Sequence, residues 1–344
     1  MAGTNYEPDV PITISPLFAW PPRPGELLAV NARALVAPLL IFYALLSVAI
    51  WYLLTPSLAS MQTLRPGWIL TVWARNLVLL TLWAGGLHYF LHRRRTQGDR
   101  LKYTDRPFSH SRTFTANNQV IDNMIWSLGS GVTIWSLYEC ATWWIMANNP
   151  RLVRSWTDDW LYLGALVVAM VFWSQLHFYL NHRLLHVEPL YRLAHKVHHR
   201  NPNTGPWSGI SMHPLEHLLY FSAPVLLWVV PSHPVVVLML LLYSGISPAA
   251  SHCGFDRVEV FGRWSFGAGD YYHHLHHRYF ECNYGNRLVP LDALFGTFHD
   301  GTTESHRRMR ARRRAVRPDA DLPAPEPGPE LSEVLSDMRD DERY

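Results

Sequence analysis

The segment LVAPLLIFYALLSVAIWYLL at residues 35–54 contains no charged side chain. An α-helix needs about 20 predominantly apolar residues to cross a bilayer. Three more runs of similar length and character lie at residues 68–91, 125–147 and 161–181. Tryptophans occur at the ends of several of these runs, as in the aromatic belts of membrane interfaces. Aromatic packing in a soluble helical protein is the alternative, but the uncharged first run favours about four membrane spans.

Two shorter apolar runs, 218–230 and 235–250, flank Pro231 and predict a re-entrant hairpin, with two full spans as the alternative. Lys and Arg concentrate at residues 92–112, 183–200 and 307–317. Because these residues are enriched in cytoplasmic loops, an even number of crossings predicts an N-in, C-in topology. The expected location is the inner membrane of a bacterial cell or the endoplasmic reticulum of a eukaryotic one. The proline-rich start does not resemble a cleavable signal peptide.

Eight histidines occur in three clusters at offsets of three or four residues, which on a helix place side chains on one face. They are His182, His186, His195, His198, His199, His273, His276 and His277. Imidazole ligands suit zinc, copper, iron or nickel rather than magnesium or calcium. A structural zinc site closes with four ligands, so eight histidines predict two metal ions. His252, which follows an apolar run, is predicted as a ninth ligand.

Several other polar residues have weaker predicted roles. His213 and His217 share a helical face and are either a further ligand pair or groups that orient the ligands. His274 points away from its neighbours on a regular helix and is expected to act behind the ligands or to hydrogen-bond locally. Glu139 lies within an apolar run, where a carboxylate is costly, so it is a functional candidate. A hydrogen bond to a neighbouring helix is the alternative role for Glu139.

Several short motifs combine into a pattern typical of one protein family. They are HRLLH at 182–186, HKVHH at 195–199, HPLE at 213–216, HCG at 252–254, HHLHH at 273–277, NYG at 283–285 and LFGT at 294–297. With these motifs, roughly residues 161–302 resemble the fatty acid hydroxylase superfamily, which includes sterol desaturases and sterol C4-methyl oxidases. The sequence departs from that pattern at Leu291-Asp292, where the family usually has Trp-Asp.

The resemblance implies a membrane-bound non-haem enzyme with two iron ions, in which zinc can replace iron in recombinant protein. It implies O2-dependent hydroxylation or desaturation of a lipid, whether a sterol, a fatty acyl chain or a lipid headgroup. Glu216 and Asn283 then join the residues expected either to orient the ligands or to bind metal themselves. Glu139, Trp143 and Trp173 are predicted to line the substrate channel. The three cysteines form no iron–sulfur set, so a separate ferredoxin, cytochrome or reductase is expected as electron donor. No nucleic acid partner is expected.

Other functions compatible with the histidine clusters are acyl desaturation, carotenoid or ether-lipid oxygenation, metal transport and haem binding. The predicted fold is all-α, an integral membrane helical bundle of about four spans plus a short re-entrant hairpin, with a cytosolic histidine-rich helical cap. The predicted organisation has four parts. They are an N-terminal cytosolic segment at 1–34, three membrane helices with a basic cytosolic loop at 35–160, a catalytic domain at 161–302 and a basic, then acidic and proline-rich disordered tail at 303–344.

Overall fold

The computed structural model describes residue 6 and residues 8–260 and 264–316. Its helices are α1 (Pro24–Leu35), α2 (Pro38–Ala49), α3 (Pro66–His88), α4 (Gln119–Trp126), α5 (Val132–Asn148), α6 (Trp160–Leu185), α7 (Lys196–His199), α8 (Pro214–Tyr220), α9 (Pro234–Ser251), α10 (Tyr271–Tyr279), α11 (Leu291–Leu294) and α12 (Thr303–Val316). Four π-helical turns extend or join helices, at Ile50–Leu54, Tyr89–Arg93, Ser127–Gly131 and Tyr191–His195. Proline stands in the first turn of α2, α3, α8 and α9, where its missing N–H costs no helical hydrogen bond.

Three helical segments, Pro66–Arg93, Trp160–Leu185 and Pro234–Ser251, are long and apolar enough to cross a membrane. The pair α1 and α2 makes a fourth if its bend of 52° lies within one span. These segments and the helical content agree with the predicted all-α membrane bundle. Within the described residues, the predicted span at 125–147 is not among them, because a π turn divides this stretch and polar side chains interrupt it.

The predicted re-entrant hairpin at 218–250 needs a correction, because the two arms of this segment have different structures. The first arm contains α8 and a 3-10 turn at Ala223–Trp228, whereas the second arm is the single helix α9. The apolar window of α9 is 72% buried, against 22% for α3 and α6. The helix α9 is therefore the central helix of the bundle, packed by α2, α3 and α5, while α6 keeps most of its surface outward.

A short β-hairpin leads from the bundle to α10, and the sequence reasoning missed it. The strands β1 (Arg257–Val260) and β2 (Trp264–Gly267) are antiparallel, with Val258 paired to Phe266. The alternation of valine with charged residues in Arg257–Val260 is the period-two signal of a strand. The side chain of Asp270 accepts a hydrogen bond from the backbone N–H of Tyr272 and so caps the start of α10.

The prediction of a disordered tail is wrong for residues 303–316, which form α12. The Arg312 guanidinium on α12 donates hydrogen bonds to the carbonyls of Gly296 and Glu281, which anchors the helix to the preceding loops. The remainder of the predicted tail, residues 317–344, lies outside the described residues.

Candidate metal centre

Four elements bring the predicted ligands together at one end of the bundle. The last turn of α6 carries His182, and His186 caps its C-terminus. The π turn at Tyr191–His195 and the helix α7 carry the second cluster, and α10 carries the third. His252 caps the C-terminus of α9.

The nine predicted histidines form two groups, each of which could hold one metal ion. Site 1 contains His182, His186, His195, His199 and His276. Site 2 contains His198, His252, His273 and His277. The ligand atoms within each group lie within 4.8 Å of one another. The sites adjoin, since the ring centroids of His199 in site 1 and His277 in site 2 are 5.0 Å apart.

The spacing of the ring nitrogens fits a shared ion. In site 1 the Nε2 atom of His186 lies 3.0 Å from that of His195 and 3.2 Å from those of His199 and His276. In site 2 the Nε2 atom of His252 lies 3.1 Å from those of His273 and His277. Metal–nitrogen bonds of about 2.1 Å place neighbouring ligand nitrogens about 3.0–3.4 Å apart, so both groups have the right dimensions.

Each HxxHH cluster contributes to both sites, which corrects the expectation that each cluster forms one stripe. In the second cluster, the outer residues His195 and His199 belong to site 1 and His198 to site 2. In the third cluster the outer residues belong to site 2, and the middle one, His276, belongs to site 1. The two sites therefore share their supporting helices, which couples the geometry of one to that of the other.

In four of the nine rings, a hydrogen bond holds the ring nitrogen that faces away from the site. The Nδ1 atom of His195 lies 2.7 Å from a Glu216 carboxylate oxygen. Backbone carbonyls take the same place for three other rings, namely Tyr284 O for His182 at 2.7 Å, Cys282 O for His276 at 2.6 Å and Pro248 O for His252 at 2.9 Å. Such bonds fix the tautomer and the orientation of metal-binding imidazoles. This arrangement on four of the nine rings is the strongest local sign that the nitrogens on the other side bind metal.

Burial keeps these imidazoles in the neutral form that binds metals. Desolvation holds the pKa of His198, His199 and His277 well below its usual range, and the neighbouring imidazoles lower it further. The pKa of His252 falls to about 4 for the same first reason. Only His186 among the nine is partly exposed, so site 1 approaches the protein surface at that ring.

The structure places the weaker candidates outside both groups. The Nε2 atom of His217 contacts the Ile210 carbonyl at 3.0 Å, and His213 caps α8 by accepting from the backbone N–H of Leu215. His274 is buried beside Tyr103, with ring centroids 4.9 Å apart. Asn283 bonds the backbone of Tyr272 and His299, so it fixes a loop. Glu216 alone touches a member of the two groups, through His195.

Sequence reasoning missed the role of Asp292. Its carboxylate accepts hydrogen bonds from Tyr284 N at 3.0 Å, Gly285 N at 2.7 Å and the Tyr272 hydroxyl at 2.7 Å. These bonds hold the loop whose Tyr284 carbonyl orients His182. The available signal was the aspartate of the Leu291-Asp292 pair, which precedes the LFGT motif.

A cavity of about 1010 Å³ opens onto the histidines and is lined by α1, α2, α6 and α9. Glu139, Trp143 and Trp173, the predicted channel residues, are not among its lining residues. Glu139 is buried in an ion pair with Arg75, and Trp143 donates to Glu139 at 2.9 Å. Trp173 donates to the Ala223 carbonyl at 2.9 Å. Glu139 therefore joins α5 to α3, which is the alternative role considered from the sequence. Trp173 joins α6 to the turn at Ala223–Trp228, and Trp143 supports Glu139 within α5.

Comparison with known proteins gives one family. Residues 167–297 match the fatty acid hydroxylase family model. Similar proteins include lathosterol oxidase of Mus musculus, 30% identical over 42% of this chain and 49% of that protein. Delta(7)-sterol-C5(6)-desaturase of Nicotiana tabacum is 31% identical over 43% of this chain and 55% of its own length, and the cholesterol 25-hydroxylase-like protein of Danio rerio is 31% identical over 45% and 60%. The chain spans about half the length of these relatives. No solved structure matches.

Proposed function

We propose that this membrane protein is a non-haem di-iron oxygenase that hydroxylates or desaturates a lipid, because residues 167–297 match the fatty acid hydroxylase family model. The observation that carries the proposal is the pair of adjoining all-histidine groups at one end of a bundle with membrane-spanning helices. Relatives named as an oxidase, a desaturase and a hydroxylase of sterols support the same reaction class.

Nine imidazoles suit two iron ions, since iron accepts nitrogen ligands. A group of five histidines and a group of four both leave coordination positions open for O2. Zinc fits the same nitrogen spacing, so it can load in recombinant protein. Bound iron supplies activation of O2 and removal of hydrogen from an unactivated C–H bond. In hydroxylation one oxygen atom enters the lipid and the other leaves as water, and in desaturation both leave as water. Each reaction takes two electrons and two protons from outside.

The protein residues position and protect this chemistry. His182, His195, His252 and His276 are held at their outer nitrogens, so their inner nitrogens have fixed directions before metal binds. Burial of eight of the nine rings keeps water away from the centre. The cavity gives an apolar molecule access to His182, His198 and His273 from the membrane side.

The electrons come from a separate acidic carrier in this proposal, a ferredoxin, cytochrome or reductase. Basic residues at 92–112 and on α12 offer a complementary charge on the side of the chain where the sequence predicts cytoplasm. We therefore keep the N-in, C-in topology and the catalytic domain at 161–302 as parts of the proposal.

The test compares whole-cell lipids and metal content for the wild type and for the double variant His198→Ala, His199→Ala, which removes one ligand from each site. We expect the wild type to yield a lipid that has gained oxygen or lost two hydrogens, and the double variant to yield none. His217→Ala is the control, since His217 is buried outside both sites. Identical lipid profiles for wild type and double variant contradict the oxygenase.

Two rival functions give different readings in the same preparation. A metal transporter would move metal across proteoliposomes without consuming O2, but it should carry its ligands near the middle of the spans. Here the histidines cap helix ends, as His186 caps α6 and His252 caps α9. A haem protein would show a Soret band, which we expect to be missing.

A further inference from the structure

The cavity beside the metal sites is long and has two chemically different ends. At one end its wall includes His182 and His252, and at the other Val167 and Val236. These valines stand 15 and 16 residues earlier on α6 and α9. At a rise of 1.5 Å per residue, the far wall lies about 22–24 Å from the histidines.

The charged side chains of the cavity wall lie at the histidine end, and Ser174, Gln175 and Tyr243 add polar groups partway along the wall. Glu26 and Arg33 on α1, with Asn286 and Arg287 from the loop before α11, form a rim there. The backbone N–H of Ser15 donates to the Arg287 carbonyl at 2.8 Å and ties the N-terminal segment to this rim. Beyond the rim, the wall continues with apolar residues such as Leu40, Met170 and Leu240. The metal sites therefore lie at the depth of the charged rim and not at the depth of the apolar end.

The cavity is bounded by helices that do not pack closely around it. The helix α2 packs on α9, and α6 packs on α8 and α9, while α2 and α6 line the cavity from its two sides. The outer face of α6 is open to lipid, since Val168 is 44% and Leu180 54% exposed. A lipid can thus enter sideways from the bilayer without leaving its membrane depth.

We propose that the substrate is a single amphipathic lipid that lies along α6 and α9 with its polar end at the rim, so that the oxidised carbon is close to that polar end. Placing the polar group at Val167 and Val236 would leave it without hydrogen-bond partners in an apolar end, which is unfavourable. This inference rests on the proposed oxygenase reaction for its chemistry, but the orientation of the lipid rests on the cavity alone.

Photo-crosslinking of purified protein in lipid nanodiscs measures that orientation without turnover. Two probe pairs are used, one derived from stearyl alcohol and one from cholesterol, each with a photoreactive diazirine either beside the hydroxyl or at the opposite end of the molecule. We expect the hydroxyl-side probes to label residues 285–288 and the end of α6 near Phe178, and the opposite-end probes to label Val167 or Val236. The reverse pattern, or labelling at neither place by either pair, overturns the proposal.

A matched pair of variants tests the apolar end. Val167→Trp fills the cavity, whereas Val168→Trp adds the same side chain to the lipid-facing surface. We expect Val167→Trp to reduce labelling by the stearyl alcohol and cholesterol probes about tenfold, a loss of about 1.4 kcal/mol in binding, because the indole occupies the far end of the cavity. Val168→Trp should leave the labelling unchanged. Equal effects of both variants overturn the proposal.

Product analysis then distinguishes a failure of the proposed lipid orientation from a failure of the proposed oxygenase reaction. In a series of alcohols of increasing chain length, the oxidised carbon should keep a constant distance from the hydroxyl. A constant distance from the methyl end overturns head-proximal oxidation. Correct labelling without any oxidised product would instead refute the proposed oxygenase and leave the lipid orientation in place.

Discussion

Replacing Glu216 by glutamine should weaken metal binding at site 1 and leave site 2 intact. The Glu216 carboxylate is 3% exposed and lies 2.7 Å from Nδ1 of His195, whose Nε2 atom is directed into site 1. The Nδ1–H of His195 therefore donates to a charged acceptor. Glutamine keeps the shape and an accepting oxygen but removes the charge.

The size of the effect follows from the loss of charge assistance in that bond. A hydrogen bond to a charged group contributes about 1.5–3 kcal/mol and a neutral one about 0.5–1.5 kcal/mol. The difference of about 1–2 kcal/mol corresponds to roughly a 5- to 30-fold weaker metal affinity. Glu216→Ala removes the bond altogether and should cost about 10- to 100-fold, as for other residues that orient metal-binding histidines.

The assay is metal content per protein by mass spectrometry, after equilibration with a chelator at graded free iron or zinc. We expect two steps of release in Glu216→Gln, with only the weaker step displaced from the wild type. Glu304→Gln is the control, because Glu304 is 63% exposed and its ion pair with Arg307 is at the surface. A Glu216→Gln curve identical to wild type, or an equal displacement of both steps, would refute the role of Glu216.

Three further predictions concern residues away from the metal nitrogens. Asp292→Asn should lower the melting temperature in detergent by about 3–4 °C, since it weakens several buried hydrogen bonds by about 2–3 kcal/mol in total; an unchanged melting temperature counts against it. Arg75→Met should cost about 3–5 kcal/mol of stability, because it leaves Glu139 charged and without its ion-pair partner. Adding Glu139→Leu should restore most of this stability without changing the metal content. A double variant as unstable as the single one contradicts this prediction. Burial lowers the pKa of His217 and His299 to about 4, so these histidines take up protons in the unfolded chain before they do so in the folded one. Each histidine should therefore lower the stability of the metal-free protein by up to about 1.4 kcal/mol per pH unit as the pH falls from 6.5 towards 4. Melting temperatures that stay constant between pH 7 and 5 contradict this prediction.

The membrane bundle and the histidine ligand candidates could be predicted because both depend on patterns local to the chain. An uncharged run such as residues 35–54 reports its environment without knowledge of its neighbours. Histidines at offsets of three and four report a common helix face in the same way. The inclusion of His252 needed more, namely its place at the end of an apolar run, and the structure brings it into site 2.

Contacts across the bundle could not be predicted, and this accounts for the differences in the channel and the tail. Glu139 is buried in either role, and only the position of Arg75 on the facing helix decides that it forms an ion pair. Residues 303–316 read as a basic tail because the carbonyls of Glu281 and Gly296 that anchor Arg312 come from loops that no local pattern places there. Asp292 is similar, because its donors converge from α10 and from the loop at 283–285.

The division of each HxxHH cluster between two ions follows from helix geometry. Successive residues on an α-helix are about 100° apart, so the residues at offsets of three and four lie about 60° to one side and 40° to the other side of the first. On α10 the first histidine, His273, therefore pairs with His277 on site 2, while His276 leans the other way towards site 1. The second cluster divides in the reverse sense, with His198 alone in site 2. Two clusters that divide in opposite senses thus supply ligands to both neighbouring sites, and the histidines at the ends of α6 and α9 complete one site each.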